Sequence, residues 1–308
     1  MFSCRDIRKL VIFFLCCIAL SGISSCSRSK SVEEEPDLAE AIEFYSKVAA
    51  DKKGAADIIP DNSSMLANVI RKAELSEALA ASITDIAAKT PAFYFELLSC
   101  LEGDPSLRRL VDKRHSLPHD YEPDDLVALG NAGGLPQKSF RVSRVNFMLR
   151  SLAADSLEEM AAAARADGVT LLVSSAYRSY SYQDEVYKRN VREMGVEAAD
   201  RESARPGYSQ HQTGLVVDFG SIDNTFAKSA AGLWMSANAC RFGWSLSYPD
   251  GYEDITGYRW ESWHYRYVGT DIAAFIDSYF NGIQQYALRF IYEWENYGNI
   301  LNPSDKSQ

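Results

Sequence analysis

Apolar positions along the 308-residue chain fall into three regimes. From Leu10 to Leu20 they form one unbroken run, LVIFFLCCIAL, which is shorter than the ~18–20 residues that a helix needs to cross a bilayer. From about Leu38 to Cys100 they recur at steps of three and four in AEAIEFYSKVAA, MLANVIRKAELSEALAASITDIAAKT and PAFYFELLSCL. That spacing, with abundant alanine, predicts helices. Beyond Asp104-Pro105 the pattern becomes mixed. LVDKRHSLPHDYEPDDLVALG carries Pro118 and Pro123 among charges and reads as extended or looped. Residues 143–166 read as one long amphipathic helix closed by Asp167-Gly168. VTLLVSS (169–175) and GLVVDFG (214–220) read as strands, with a helix over YQDEVYKRNVREMG between them. Residues 225–241 read as helix, WSLSY and about Arg259 to Val268 as strand, and 271–295 as mainly helix. Without strict strand–helix alternation, this predicts an α+β domain, a small mostly antiparallel sheet flanked by helices and preceded by a helical N-terminal region.

The first apolar run follows Arg5, Arg8 and Lys9 and precedes small residues, the layout of a secretory signal. It ends Ile23-Ser24-Ser25-Cys26, which resembles the bacterial lipobox and makes Cys26 the lipidated first residue of an exported, membrane-tethered mature chain facing the cell wall or periplasm. The polar stretch SRSKSVEEEPD after it reads as a flexible tether. The expected organisation is signal (1–25), tether (26–37), helical region (38–104), main domain (105–270) and helical tail (271–308). A net charge of −10 without a basic stripe disfavours nucleic-acid binding. Cys4, Cys16 and Cys17 leave with the signal. Cys100 and Cys240 remain, and spacing leaves open whether they pair or stay as buried thiols.

Only four histidines are present, so their surroundings carry information. His115 and His119 lie in the charged loop and read as solvated or structural. His211 opens SQHQTGLVVDFG, with Asp218 seven residues on, and His264 lies in RWESWHYRYVG, three residues after Glu261. Two imidazoles and one carboxylate can form a three-ligand zinc site that keeps a fourth position open for water. Glu261 is then a candidate base and an arginine a candidate oxyanion partner. The same spacing also accommodates hydrogen-bonded structural histidines with Asp218 at a strand end.

Four motifs in order, LVDKRHSLPHDYEPDDLV, SSAYRSYSYQ, ARPGYSQHQTGLVVDF and TGYRWESWHYRYVG, resemble the VanY/DacB-type zinc D,D- and L,D-carboxypeptidases of the peptidase M15 family, over roughly Leu110 to Gly269. The resemblance implies Zn2+ ligands at His211, Asp218 and His264, a general base at Glu261, and at Arg178 a residue that binds substrate and stabilises the tetrahedral state. It also implies substrate-side positions at Gln183 and Ser209. Gln210 and Phe219 fall where the family varies, and Ser262 replaces a frequent proline. The implied activity is removal of the terminal D-alanine from peptidoglycan stem peptides by direct hydrolysis. The alternatives are a non-catalytic peptidoglycan-binding lipoprotein on the same fold and a related cell-wall zinc endopeptidase. One geometric condition attaches to this reading. In a regular strand, residues three apart face opposite sides, so a bulge, a turn or a strand start must lie between Glu261 and His264.

Overall fold

The computed structural model describes residues 62–130 and 139–301. The expected signal, tether, Cys26 and the first part of the helical region lie outside the described residues. The described residues divide into two compact units, one within 1–99 and 290–308 and the other within 100–289.

In the first unit, helices span Asn62–Lys72 and Glu77–Lys89, and a third, Ala92–Glu102, begins there. The Ser76 hydroxyl accepts a hydrogen bond from the Leu79 amide and supplies the N-cap that the second helix needs. Val69, Ile83 and Phe93 are fully buried. Phe290 meets Phe93 edge-on at 5.9 Å and stacks on Trp294 at 6.0 Å, contacts that add specific geometry to apolar burial.

Among the described residues the second unit carries seven short strands: β1 (Leu126–Ala128), β2 (Arg141–Val142), β3 (Met148–Arg150), β4 (Leu172–Ser175), β5 (Val216–Phe219), β6 (Trp244–Leu246) and β7 (His264–Tyr267). β1 and β3 form an antiparallel ribbon. The other five form one sheet in the order β2-β4-β5-β7-β6. Among these described strands only the β2–β4 pairing is parallel. Every residue of β5 is buried, which is why VVDF shows no alternation of apolar and polar positions. Leu149, Leu157, Met160, Val173, Leu215, Val217, Phe219 and Trp244 belong to one buried cluster built by the sheet and helix Ser151–Ala166.

Three boundaries differ from the sequence reading. The helix expected over 143–166 begins only at Ser151, because long-range bonds claim the backbone at that point. The Arg150 amide donates to the Gly214 carbonyl at 2.9 Å, the Ser151 amide donates to the Asp125 carbonyl at 3.0 Å, and the Arg150 guanidinium pairs with Asp125 at 2.8 Å. The helix expected over 225–241 is broken into a 3-10 turn at Asn224–Lys228, a helix at Ala230–Asn238 and a second 3-10 turn at Ala239–Phe242. At the first break the Phe226 carbonyl lies only 2.0 Å from where a Cβ on Gly232 would sit, an approach that only glycine permits. Of the strand expected from Arg259 to Val268, only His264–Tyr267 pairs in the sheet.

Candidate active site

β5 and β7 run antiparallel with Asp218 directly opposite His264. Opposed residues of an antiparallel pair project from the same face, so residues 46 apart in sequence become neighbours. His211 arrives from the 3-10 turn Gln210–Thr213 that leads into β5. The Ser209 hydroxyl caps that turn by accepting from the His211 amide. Gly214, at φ +69°, closes it in the left-handed region. The His211 ring is fixed by a 2.6 Å hydrogen bond from Nδ1 to the Ala176 carbonyl, just past β4.

The candidate ligand atoms of His211, Asp218 and His264 lie within 4.8 Å of one another. His211 Nε2 is 3.2 Å from Asp218 Oδ2, and His264 Nδ1 is 3.0 Å from Asp218 Oδ1. None of the three residues is more than 4% exposed. Even so, His211 Nε2 and Asp218 Oδ1 make no hydrogen bond. Buried polar atoms without partners are costly, and here they converge without aiming at one another, as lone pairs do around a shared centre. Two imidazole nitrogens and a carboxylate oxygen suit Zn2+. In a tetrahedral shell with bonds of about 2.0–2.1 Å, adjacent donors sit about 3.3 Å apart, close to the separations here. The residues therefore fit the ion. Burial, reinforced by the charge of Arg178, pushes the His211 imidazole down to about 4, so it is neutral and able to ligate at ordinary pH. Burial pushes the Asp218 carboxyl up, but His211 and His264 outweigh it and hold the group well below the usual carboxylate range.

Glu261 reaches the cluster because a turn precedes β7. The His264 amide donates to the Glu261 carbonyl at 3.2 Å, while the Glu261 amide donates to the Tyr248 carbonyl and the Ser262 amide to Asn224 Oδ1. This supplies the irregularity required between residues 261 and 264. Glu261 Oε2 lies 3.4 Å from His264 Nδ1. Burial, with the Asp218 charge adding to it, raises the Glu261 carboxyl to about 8 against the partial relief of Arg259 and Arg178. Arg178 stands on the opposite flank, its Nη2 3.7 Å from Asp218 Oδ2. Its Nη1 donates to Gln183 Oε1 at 2.9 Å, and its Nε is buried without a partner. Gln183 is 1% exposed and donates from Nε2 to Ser203 Oγ and the Ala204 carbonyl, so both ends of its amide are held by the protein.

Two residues at the site were not singled out for a role by the sequence. Tyr248 packs its ring 4.7 Å from that of His264, and Gln210 Oε1 lies 3.3 Å from His264 Nε2. Neither carries a local signal, since each touches a histidine far along the chain. His115 pairs with Asp112 at 2.7 Å and His119 packs on Tyr180; neither joins the cluster.

Residues 146–270 match the family model described as VanY, D-alanyl-D-alanine carboxypeptidase. The chain is 37% identical over 187 residues to the Bacillus subtilis protein YodJ, covering 58% of this chain and 66% of YodJ. It is 35% identical over 173 residues to a D-alanyl-D-alanine carboxypeptidase of Enterococcus faecalis, covering 53% of this chain and 59% of that protein. The chain thus spans somewhat under two thirds of the length of these curated relatives. Among solved structures it resembles the LdcB LD-carboxypeptidase at 34% identity and a TM-score of 0.48, covering 56% of this chain and 85% of that one. Another is a variant of the vancomycin resistance D,D-pentapeptidase VanY in complex with Zn(II), at 29% identity and a TM-score of 0.47, covering 62% of this chain and 99% of that one. The matched segment contains Arg178, His211, Asp218, Glu261 and His264, so all five lie in the part of the chain that is similar to the VanY D-alanyl-D-alanine carboxypeptidases.

Proposed function

We propose that this protein is a zinc-dependent carboxypeptidase that hydrolyses the bond before the terminal D-alanine of peptidoglycan stem peptides. The observation that carries the reading is the placement of a proton-hungry buried carboxyl, Glu261, beside a buried His–Asp–His cluster whose lone pairs converge. His211, Asp218 and His264 would hold Zn2+, which would supply Lewis-acid polarisation and allow water to act as a nucleophile at neutral pH. Glu261 takes the proton of the attacking water and passes it to the departing amine of D-alanine, a role that suits a carboxyl raised toward neutrality. Arg178, tethered by Gln183, offers its guanidinium to the negative charge that develops on the scissile carbonyl oxygen. Gln183 and Ser209 border the same site, Gln183 through Arg178 and Ser209 through the turn that carries His211. A non-catalytic peptidoglycan binder would have no use for Glu261, whose burial beside the ligands costs stability.

The proposal includes export and lipidation at Cys26, which would hold the domain at a membrane facing its cell-wall substrate. Mass spectrometry of stem tetrapeptides and pentapeptides incubated with the zinc-loaded protein tests the activity. The expected result is loss of one D-alanine, abolished by chelator and restored by added Zn2+. Intact peptides at equimolar enzyme and zinc would refute it, and cleavage inside a cross-bridge would identify an endopeptidase.

A further inference from the structure

The first of the four sequence motifs, LVDKRHSLPHDYEPDDLV, takes no part in the chemistry proposed above. Its Asp112 is nevertheless 3% exposed and surrounded by donors. Oδ1 accepts from the Arg114 and His115 amides at 2.8 and 3.0 Å and lies 2.7 Å from His115 Nδ1. Oδ2 accepts at 2.6 Å from Nε2 of Gln285, at the start of helix Gln284–Leu301. A buried carboxylate is tolerated only with such compensation, and here it fixes the bend that carries Lys113.

Lys113 Nζ donates to the Asp200 carbonyl and lies 3.8 Å from the centre of the Tyr258 ring. A cation in that position is drawn to the negative face of the ring. The Lys113 stem is close as well, with Cγ 2.6 Å from where a Cβ on Gly257 would sit; Gly257, at φ +78°, leaves it room. Tyr258 is 3% exposed, and its hydroxyl is buried without a hydrogen-bond partner. Ring contacts therefore locate this side chain. One is with Lys113, and another is with the Tyr248 ring at 4.8 Å. Tyr248 in turn meets two parts of the site. Its ring lies 4.7 Å from that of His264, and its carbonyl accepts from the Glu261 amide at 3.0 Å.

We propose that Lys113 is a positioning residue for the hydrolysis: laid over Tyr258 by the Asp112 bend, it holds the Tyr258–Tyr248 pair against His264 and keeps Glu261 in place. The inference rests on the carboxypeptidase reading above. Lys113, Asp112 and Gln285 all lie outside residues 146–270, so this support comes from beyond the segment matched to VanY.

The test uses the full-length protein loaded with Zn2+. Three quantities are read: kcat and KM for D-alanine release, Zn2+ affinity by chelator competition, and hydrogen exchange at the Glu261 amide. Lys113→Met keeps most of the stem and removes the cation. It should lower kcat by about 2- to 30-fold, the range that a cation over an aromatic face supplies, with KM and Zn2+ affinity unchanged. The Glu261 amide should exchange faster by a similar factor, while core amides keep their rates. Lys113→Arg restores a cation and should recover both kcat and exchange, which a general loss of packing would not do. Tyr258→Phe, which keeps the ring, should lose less kcat than Tyr258→Leu, which does not. A folded Lys113→Met with wild-type kcat and wild-type Glu261 exchange overturns the proposal. So does a Lys113→Arg no better than Lys113→Met, or a Tyr258→Phe as damaged as Tyr258→Leu. A zinc-loaded wild type that releases no D-alanine would refute the carboxypeptidase reading, and the exchange series alone would then decide whether Lys113 holds Glu261.

Discussion

Glu261→Gln should move rate and stability in opposite directions. The substitution keeps shape and volume but removes the proton-accepting group. A positioned general base contributes about 10²- to 10⁴-fold, which corresponds to about 3–5 kcal/mol of barrier, so release of D-alanine should fall by that factor. Zn2+ retention should be nearly unchanged, because the proposed ligands are the other three residues. Stability follows from the carboxyl's displacement from 4.5 to about 8 in the folded protein. Above pH 4.5 the unfolded chain releases a proton that the folded state still holds, so a raised carboxyl makes stability fall as pH rises toward the folded value. Each pH unit in that window costs about 1.4 kcal/mol. Between pH 6.5 and 8.5 the metal-free wild type should lose about 2 kcal/mol through this group, and Glu261→Gln should lose none of it. Urea unfolding of both proteins at the two pH values, with chelator present, measures the difference. Equal pH slopes would refute the buried, proton-hungry carboxyl, and an active Glu261→Gln enzyme would refute its role as the base.

Asp218→Asn should weaken Zn2+ retention severely, since a neutral amide replaces the one anionic donor between two imidazoles; dialysis followed by metal analysis reads it out. Arg178→Lys should lower kcat by roughly 10²- to 10³-fold, because an ammonium cannot hold the Gln183 contact and reach the site at once; steady-state kinetics with unchanged metal content checks this. Leu149→Ala should cost about 2–5 kcal/mol in chemical denaturation, because Leu149 is fully buried in the cluster beneath the sheet and β3 has little room to collapse around it.

Much of the fold was legible because its signals are local. The runs LLVSS and LVVDF announce β4 and β5, and YQDEVYKRNVREM announces the helix Tyr180–Met194. The misread stretches share one cause. Residues 143–150 have helical spacing, yet the Ser143 and Arg150 amides are claimed by the Val173 and Gly214 carbonyls, which no local window contains. Residues 259–263 read as the start of the strand that follows, yet the Glu261 and Ser262 amides are taken by the Tyr248 carbonyl and Asn224 Oδ1 rather than by a neighbouring strand. Long-range hydrogen bonds override local preference wherever they satisfy the backbone better.

For the site, the residue types at 211, 218, 261 and 264 made zinc chemistry a candidate beside structural histidines, because few donor sets suit Zn2+ and few side chains can serve as a base beside it, and the motif resemblance singled out Arg178. Their convergence belongs to the tertiary structure alone. Antiparallel pairing of β5 with β7 sets Asp218 against His264, and a turn at residues 261–264 swings Glu261 to the same side. The partners that orient the imidazoles, the Ala176 carbonyl and the Gln210 amide, lie 35 and 54 residues from the rings they hold. A sequence records which groups are available, whereas the direction of a lone pair depends on atoms that only folding brings within hydrogen-bonding distance.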